Sequence, residues 1–364
     1  MPILDLNNKK EVERYNHFIK NQEETNVMQT IEWGKLKKGW GQEIVFIEEN
    51  ELIKMSAMIL IKKEPISKKS LLYVPRGPIG DIYNIELFIK LLKEIETIRK
   101  KYKAFMIRFD PAIKYDKDLI KILKQHKFKV RNKNAKDIIQ PRYNFIVPVC
   151  KEYNNDELLF ENFSSSTRRN IKIAIKKGCT VEIDNSIKSL EEFYELHEIT
   201  GIRDNFIIRQ LEYYKNLLEI YDKDTVKIFK IKLNEEVLAS SITIKFGNKL
   251  WYMVGASGNN NKECKPSYLL QYYMIKYAIE TNCKFYELGG VYYPDSRDSV
   301  YDFKSRFSKK TKILEYIGEI DYVYDKAIYY LFVGAGKRIV KLKNKTISYL
   351  KSKKRKSNSI KEYV

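Results

Sequence analysis

Residues 286–307 read YELGGVYYPDSRDSVYDFKSRF. The apolar, β-prone run 285–288 predicts a strand ending at Gly289-Gly290. Paired glycines there permit a tight turn or a close approach of backbone to a ligand. An aromatic and acidic loop follows, and then a helix carrying Phe303, Lys304 and Phe307. Aromatic neighbours would hold the Lys304 ammonium near a fixed point. A glycine pair after a strand is also an ordinary turn, so its weight depends on what the chain places around it.

Upstream, 226–233 and 237–246 predict a hairpin, 249–254 a strand running into Gly255, and 267–281 a helix. The same order occurs earlier. Residues 43–47 and 52–62 predict a hairpin, 71–74 a strand running into Pro75-Arg76-Gly77-Pro78, 87–100 an amphipathic helix, and 105–109 a strand ending at Asp110-Pro111. The two series lie about 180 residues apart, far beyond solenoid periods, so they predict two copies of one α/β unit. A short strand with Ile3 and Leu4, then a helix from near Asn8, precede the first copy, and 117–126 predicts a helix after it.

Between the copies lies 141–149, PRYNFIVPV, and then the run 163–178, FSSSTRRNIKIAIKKG. Its serines predict an N-cap, its Ile/Ala positions an apolar face, and Gly178 a stop. Arg168, Arg169, Lys172 and Lys176 form the opposite, basic face. Ser189-Leu190-Glu191-Glu192 predicts a capping box opening a second helix. Residues 150–220 show no sustained heptads, which speaks against a coiled-coil arm.

The chain has 364 residues, 44% of them hydrophobic, enough for two domains with real cores. A formal net charge of +21 favours a polyanionic partner: nucleic acid, an anionic membrane face or a phosphorylated substrate. A lysine-rich genomic bias explains the excess equally well. Four dispersed cysteines without a CxxC pair and three histidines speak against a zinc site and for reduced thiols. The N-terminus lacks an apolar signal core and no run of about 18 apolar residues occurs, so a soluble cytoplasmic protein is expected, peripheral to a membrane at most. From Lys337 to Lys361 there are eleven Lys/Arg and no Asp/Glu. Such a tail suits a membrane surface or nucleic acid, and equally a solvated end.

Neither a GxSxG elbow nor a GxxxxGK[ST] loop nor a strand-linked GxGxxG is present. What remains is a basic, tyrosine-rich, duplicated protein suited to orienting two large anionic substrates for transfer. The ordered set MPILDLNN, QTIEWGKLKKGW, YVPRGPIGD, MIRFDP, QPRYNFIVPV, FIIRQLEYY, KLWYMVGAS, YELGGV, VYDFKSRF and EYIGEIDYV resembles the Fem family of peptidoglycan-bridge peptidyltransferases, and its compact FemX-type members in particular. The resemblance spans residue 1 to about 330, leaving the basic tail uncovered.

The resemblance implies an α/β (α+β) chain of tandem GNAT-like acyltransferase domains without a coiled-coil arm. The first would comprise 1–150 plus 313–334, the second 151–312, with 335–364 as a basic tail. It implies transfer of Gly, Ala or Ser from aminoacyl-tRNA to the side-chain amine of stem-peptide residue 3, on UDP-MurNAc-pentapeptide or lipid II. No cofactor and no metal are implied, and a monomer is expected. Lys304, in DFK, resembles the lysine that steadies the oxyanion of the aminoacyl ester, and Asp110, in RFDP, the acidic residue facing the acceptor amine. Lys35, Arg209 and Tyr213 resemble contacts to the precursor's nucleotide and diphosphate; Arg76 and Tyr252 lie near the same cleft. Arg168, Arg169, Lys172 and Lys176 would meet tRNA phosphates. Val254 departs from the family pattern, standing where FemX-type members can carry tyrosine. The rival readings are an acetyl-CoA-dependent GNAT acyltransferase, whose pyrophosphate loop neither half contains, and a non-enzymatic RNA- or membrane-binding protein.

Overall fold

Alternation along the strands builds the molecule in layers. In the computed structural model, residues 3–65, 67–133, 138–149, 156–298, 300–307 and 313–334 are described. Among them the first sheet contains β1 (Gly41–Glu49), β2 (Leu52–Lys63), β3 (Ser70–Pro75), β4 (Ile79–Gly80), β5 (Ala104–Asp110) and β6 (Lys129–Arg131). The second contains β7 (Tyr143–Pro148), β8 (Thr180–Ile183), β9 (Val226–Leu233), β10 (Glu236–Phe246), β11 (Lys249–Ser257), β12 (Phe285–Val291) and β13 (Leu314–Glu315). The chain then returns as β14 (Glu319–Val323), which enters the first sheet between β5 and β6. The helices include α1 (Lys9–Asn21), α2 (Ile31–Leu36), α3 (Ile85–Lys101), α4 (Lys117–Gln125), α5 (Asp156–Asn162), α6 (Ser165–Lys176), α7 (Ile187–Asp204), α8 (Leu211–Ile220), α9 (Pro266–Glu280) and α10 (Tyr301–Ser305).

The two copies match strand for strand. β1 and β2 form an antiparallel hairpin, β3 pairs antiparallel with β2, and after α3 the strand β5 pairs parallel with β3. β9, β10 and β11 repeat this, and after α9 the strand β12 pairs parallel with β11. Period-2 alternation divides each strand between two cores. Val45 and Ile47 face α3 and α4 in an outer core, whereas Ile44 and Phe46 join a central one. In the second half Phe229 and Ile231 face α6 and α9, while Ile228, Ile242 and Ile244 join the same central core. That shared layer, with Trp33 and Tyr73 from one half and Phe193 and Tyr214 from the other, fixes the halves together.

Helix ends follow local chemistry. Asn8, Asn84, Asp116 and Ser164 cap α1, α3, α4 and α6 with their side chains. Four readings are corrected. The cap of α7 is Ser186, whose side chain accepts from the Ser189 N–H; Ser189 itself sits inside the helix and donates to Asp184. The boundary at 150 would leave β7 with the first unit, but β7 pairs with β12 and β13 in the second sheet. Leu314–Glu315 likewise belongs to that second sheet rather than the first. Gly289-Gly290 does not end its strand: β12 continues to Val291, with the register against β7 slipping between Glu287 and Gly289. The extra residue of this bulge is Leu288, and the pair follows it in register with Phe145 and Asn144, Gly289 at φ +77°. The basic tail 335–364 lies outside the described residues.

Candidate active site

β5 ends at Asp110, which is 2% exposed, and β3 ends beside it at Pro75 and Arg76. Arg76 Nη1 lies 3.4 Å from Asp110 Oδ1, and the Tyr73 hydroxyl donates to Oδ2 at 3.1 Å. Behind them Arg108 holds Asp321 at 2.7 Å through Nε and approaches Glu319 at 3.3 Å. Both acids come from β14. Burial, with Glu319 adding to it, pushes the Asp110 carboxyl up to about 7 against the pull of Arg76 and Tyr73. Burial opposes the Arg76 charge, but Asp110, Tyr316 and Glu287 outweigh it and hold the guanidinium charged.

The second centre is built on the β12 bulge. Lys304, on α10, donates from Nζ to the Gly290 carbonyl at 2.9 Å. Burial pushes its ammonium down to about 8, against the opposing pull of Asp298 and Glu287. A lysine in that range still carries a proton near neutrality and can surrender it. A Cβ on Gly289 would lie 3.7 Å from Lys304 Nζ and 3.8 Å from the Tyr252 carbonyl, so Tyr252 adjoins the site. Burial raises the Tyr252 hydroxyl to about 12, and that hydroxyl occupies the space where a side chain at Gly255 would stand.

One segment, 141–144, joins the centres. The Pro141 carbonyl accepts from Arg76 Nη2 at 3.1 Å and from Asn144 Nδ2 at 2.9 Å. The Pro141 ring lies against Gly290: a Cβ there would come within 2.3 Å of Pro141 Cβ. Asp110, Arg76, Pro141, Gly290 and Lys304 therefore form a continuous train across the seam between the halves. Tyr316, under the Arg76 guanidinium at 5.0 Å, and Glu287, which feels both Arg76 and Lys304, close its flank. Glu287 also approaches Lys249 at 3.7 Å, whose Nζ donates across the seam to the Thr25 carbonyl at 3.3 Å.

A third cluster joins α2 to α8. Lys37 Nζ lies 4.1 Å from the Trp33 ring centre and donates to the Tyr213 hydroxyl at 3.3 Å. Arg209 covers the other part of Tyr213 at 4.5 Å. Burial, reinforced by Arg209, lowers the Lys37 ammonium to about 7, and burial raises Tyr213 to about 12. Two cations over aromatic faces form a cradle for a phosphorylated group. Of the expected set, Arg209 and Tyr213 come together here, but Lys35 points away, exposed on α2. Lys37 is the lysine of this segment that meets the Trp33 and Tyr213 rings. Its four-residue spacing from Trp33 was the available signal.

The basic helix α6 is tied to the Lys304 centre. The Ser164 N–H and the Thr167 hydroxyl both donate to the Arg306 carbonyl, each at 3.1 Å, two residues beyond Lys304. Arg169, Lys172 and Lys176 are exposed along α6, and Arg168 is half-buried. Glu287, Tyr316 and Tyr73 had no assigned role in the sequence reading. Among the described residues, no His/Cys/Asp/Glu group is arranged to hold a metal ion, and no helix is long and apolar enough to cross a membrane.

A family model described as the FemAB family matches residues 11–236 and 224–337. The UDP-N-acetylmuramoylpentapeptide-lysine N(6)-alanyltransferase of Weissella viridescens is 31% identical over 334 residues, covering 90% of this chain and 98% of that protein. The lipid II:glycine glycyltransferase of Staphylococcus haemolyticus (strain JCSC1435) is 28% identical over 417 residues, covering 94% of this chain and 98% of that one. The crystal structure of FemX matches with a TM-score of 0.81 at 26% identity, over 92% of this chain and all of that one. A tandem GNAT protein from the clavulanic acid biosynthesis pathway matches at 6% identity with a TM-score of 0.54, over 88% of this chain and 97% of its own, a likeness of fold alone.

Proposed function

The chain belongs to the FemAB family, and from that premise we propose that it is an aminoacyltransferase of peptidoglycan bridge formation. It moves an amino acid to the side-chain amine of stem-peptide residue 3. The donor is an aminoacyl-tRNA and the acceptor UDP-MurNAc-pentapeptide or lipid II. The observation that carries this reading is Lys304, a half-buried ammonium held on the Gly290 carbonyl beside a cationic cleft.

The acceptor amine attacks the ester carbonyl carbon, forming the C–N bond. Lys304 turns from the Gly290 carbonyl to the developing oxyanion. The ester C–O bond breaks, and the tRNA ribose oxygen leaves with the proton that the amine gives up. The step exchanges an ester for an amide, so neither ATP nor a metal is required. Asp110 has both oxygens engaged and almost no exposed surface. We assign it a positioning role: it holds Arg76, which holds the Pro141 carbonyl and through it the Gly290 strand end. Lys37, Arg209 and Tyr213 take the precursor's diphosphate and uridine side. The exposed basic face of α6 takes tRNA phosphates next to the Lys304 centre. A monomer working at the cytoplasmic face of the membrane suits these substrates.

The test is transfer from separately charged glycyl-, alanyl- and seryl-tRNA to UDP-MurNAc-pentapeptide and to lipid II, wild type against Lys304→Met. Transfer from one tRNA, lost in the variant, is expected. Failure with every donor on both acceptors overturns the reading.

A further inference from the structure

The turn between α7 and α8 projects an apolar surface that the reaction does not use. Ile199, Ile202, Phe206 and Ile207 are exposed by 37%, 73%, 45% and 71%. Scattered single apolar side chains on a surface are ordinary, but four within nine residues, two in the last turns of α7 and two just beyond it, form a patch. The turn is braced. Asn205 adopts a left-handed conformation, the Phe206 N–H donates to the Gly201 carbonyl at 3.1 Å, and Ile208 lies where a Cβ on Gly201 would come within 2.7 Å. Arg203 anchors it from the side, donating to the Ser257 carbonyl at 2.9 Å and pairing with Asp204. The exposure of Ile202 and Ile207 is therefore a property of a fixed tip.

Two features select the occupant. Arg203 and Asp204 pair and cancel, Glu198 stands exposed beside Ile199, Arg209 borders the apolar residues together with Lys37 on the Tyr213 ring, and the chain as a whole carries +21. Apolar residues with a cationic cluster on one side, on a strongly basic protein, suit an anionic bilayer surface. The tip also leads directly into Arg209, which covers Tyr213 in the precursor cradle.

We infer that the α7–α8 tip inserts into an anionic membrane surface through Ile202, Phe206 and Ile207, and thereby presents the Lys37–Arg209–Tyr213 cradle to a lipid-linked acceptor. The second half of this inference rests on the reading of that cradle as the precursor site. The first half does not.

The test uses the full chain and vesicles of phosphatidylglycerol and phosphatidylcholine. Salt at about 1 M shortens the screening length to about 3 Å and suppresses attraction through exposed basic residues, leaving apolar insertion. Ile202→Ser/Ile207→Ser is expected to weaken this salt-resistant binding by at least about tenfold. Ile207→Trp is expected to shift its fluorescence to shorter wavelength on adding vesicles. In transfer assays the double variant should lose about tenfold on lipid II in vesicles and nothing on UDP-MurNAc-pentapeptide. Unchanged vesicle binding, or no spectral shift, overturns the insertion. So does a change of oligomeric state in the double variant without any change in vesicle binding, which would assign the patch to a second copy. Equal loss on both acceptors overturns the presentation role. Wild-type protein that binds vesicles through the tip but transfers to neither acceptor sinks the functional reading while leaving insertion intact.

Discussion

β5 and β12 hold the same place in the two halves. Each follows a helix, pairs in parallel with the strand before that helix, and is flanked on its other side by an antiparallel strand from far along the chain. Their ends differ. β5 stays in register with β3 up to Asp110 and delivers a charged side chain that is clamped at once by Arg76 and Tyr73. β12 slips register at Glu287/Gly289 and delivers a backbone carbonyl, which Lys304 takes. The duplication supplied one scaffold twice. A saturated ion pair at one end makes a rigid strut, whereas a lone carbonyl at the other leaves an ammonium that can be recruited by something better.

That contrast breaks most sharply at Lys304. Lys304→Met should lower transfer by about 10²–10³-fold, the loss of one oxyanion donor. It should also make the protein more stable. The folded-state value near 8 lies below the ordinary 10.5, so between those values the unfolded chain binds more protons and stability falls as pH drops from about 10.5 to about 8, the full penalty standing below pH 8. Since the side chain is only half-buried by exposed area, the gain on substitution is about 1–2 kcal/mol at pH 7, fading as pH rises from 8 to 10.5. Urea unfolding at pH 7 and pH 10 measures it.

Gly290→Ala tests the strand end that follows the bulge. Its Cβ would meet Pro141 Cβ at 2.3 Å and Asn144 Oδ1 at 3.1 Å, so the carbonyl that seats Lys304 must move. A misplacement of that kind is expected to cost about tenfold to a hundredfold in kcat with little change in KM, read in the same transfer assay.

Asp110→Asn sharpens the other end. The carboxyl near 7 lies where an acid limb of a rate profile would fall. As a positioning residue, its replacement should lower kcat by roughly tenfold and leave the acid limb of the kcat–pH profile in place. Disappearance of the limb would make Asp110 the proton acceptor instead.

The last effect, on stability and not on transfer, lies away from both ends. His197 is buried against Phe193 and Tyr214, its Nδ1 without a partner, and burial lowers it to about 4. The unfolded chain therefore binds more protons between pH 4 and 6.5, and stability falls as pH drops through that window, by up to about 3 kcal/mol. Chemical denaturation across the window, with His197→Gln expected to flatten the slope, checks the assignment.

Much of the scaffold was legible because its signals are local. Hairpin alternation, the 3.6-residue spacing of 87–100 and the side-chain caps need only neighbours in sequence. The bulge was not legible: Gly289-Gly290 reads as a turn until β7, some 140 residues earlier, supplies the register it slips against. β7 was assigned to the wrong sheet for the same reason, since nothing within PRYNFIVPV names its partner. At the site, residues on one loop or helix, such as Arg209 with Tyr213, were read together. Glu287 and Tyr316 gain meaning only where the halves meet, and the upward push on Asp110 only once burial is known. Lys35 was named from its place in the WGK motif, which does not show that Lys37, four residues after Trp33, is the lysine that meets the Trp33 and Tyr213 rings.

β14 is made from residues synthesised near the end of the chain, yet it lies inside the first sheet. It brings Glu319 and Asp321 to Arg108 and Arg131, deep beneath the Asp110 end. As the nascent chain leaves the ribosome, the first half therefore has its arginines but not their acids, and β5 and β6 stand as open edges. All strands of the second sheet, by contrast, precede β14. On the ribosome the order of maturation is inverted: the half made second can close first, and a chain arrested before residue 319 would present two unpaired strand edges to its neighbours.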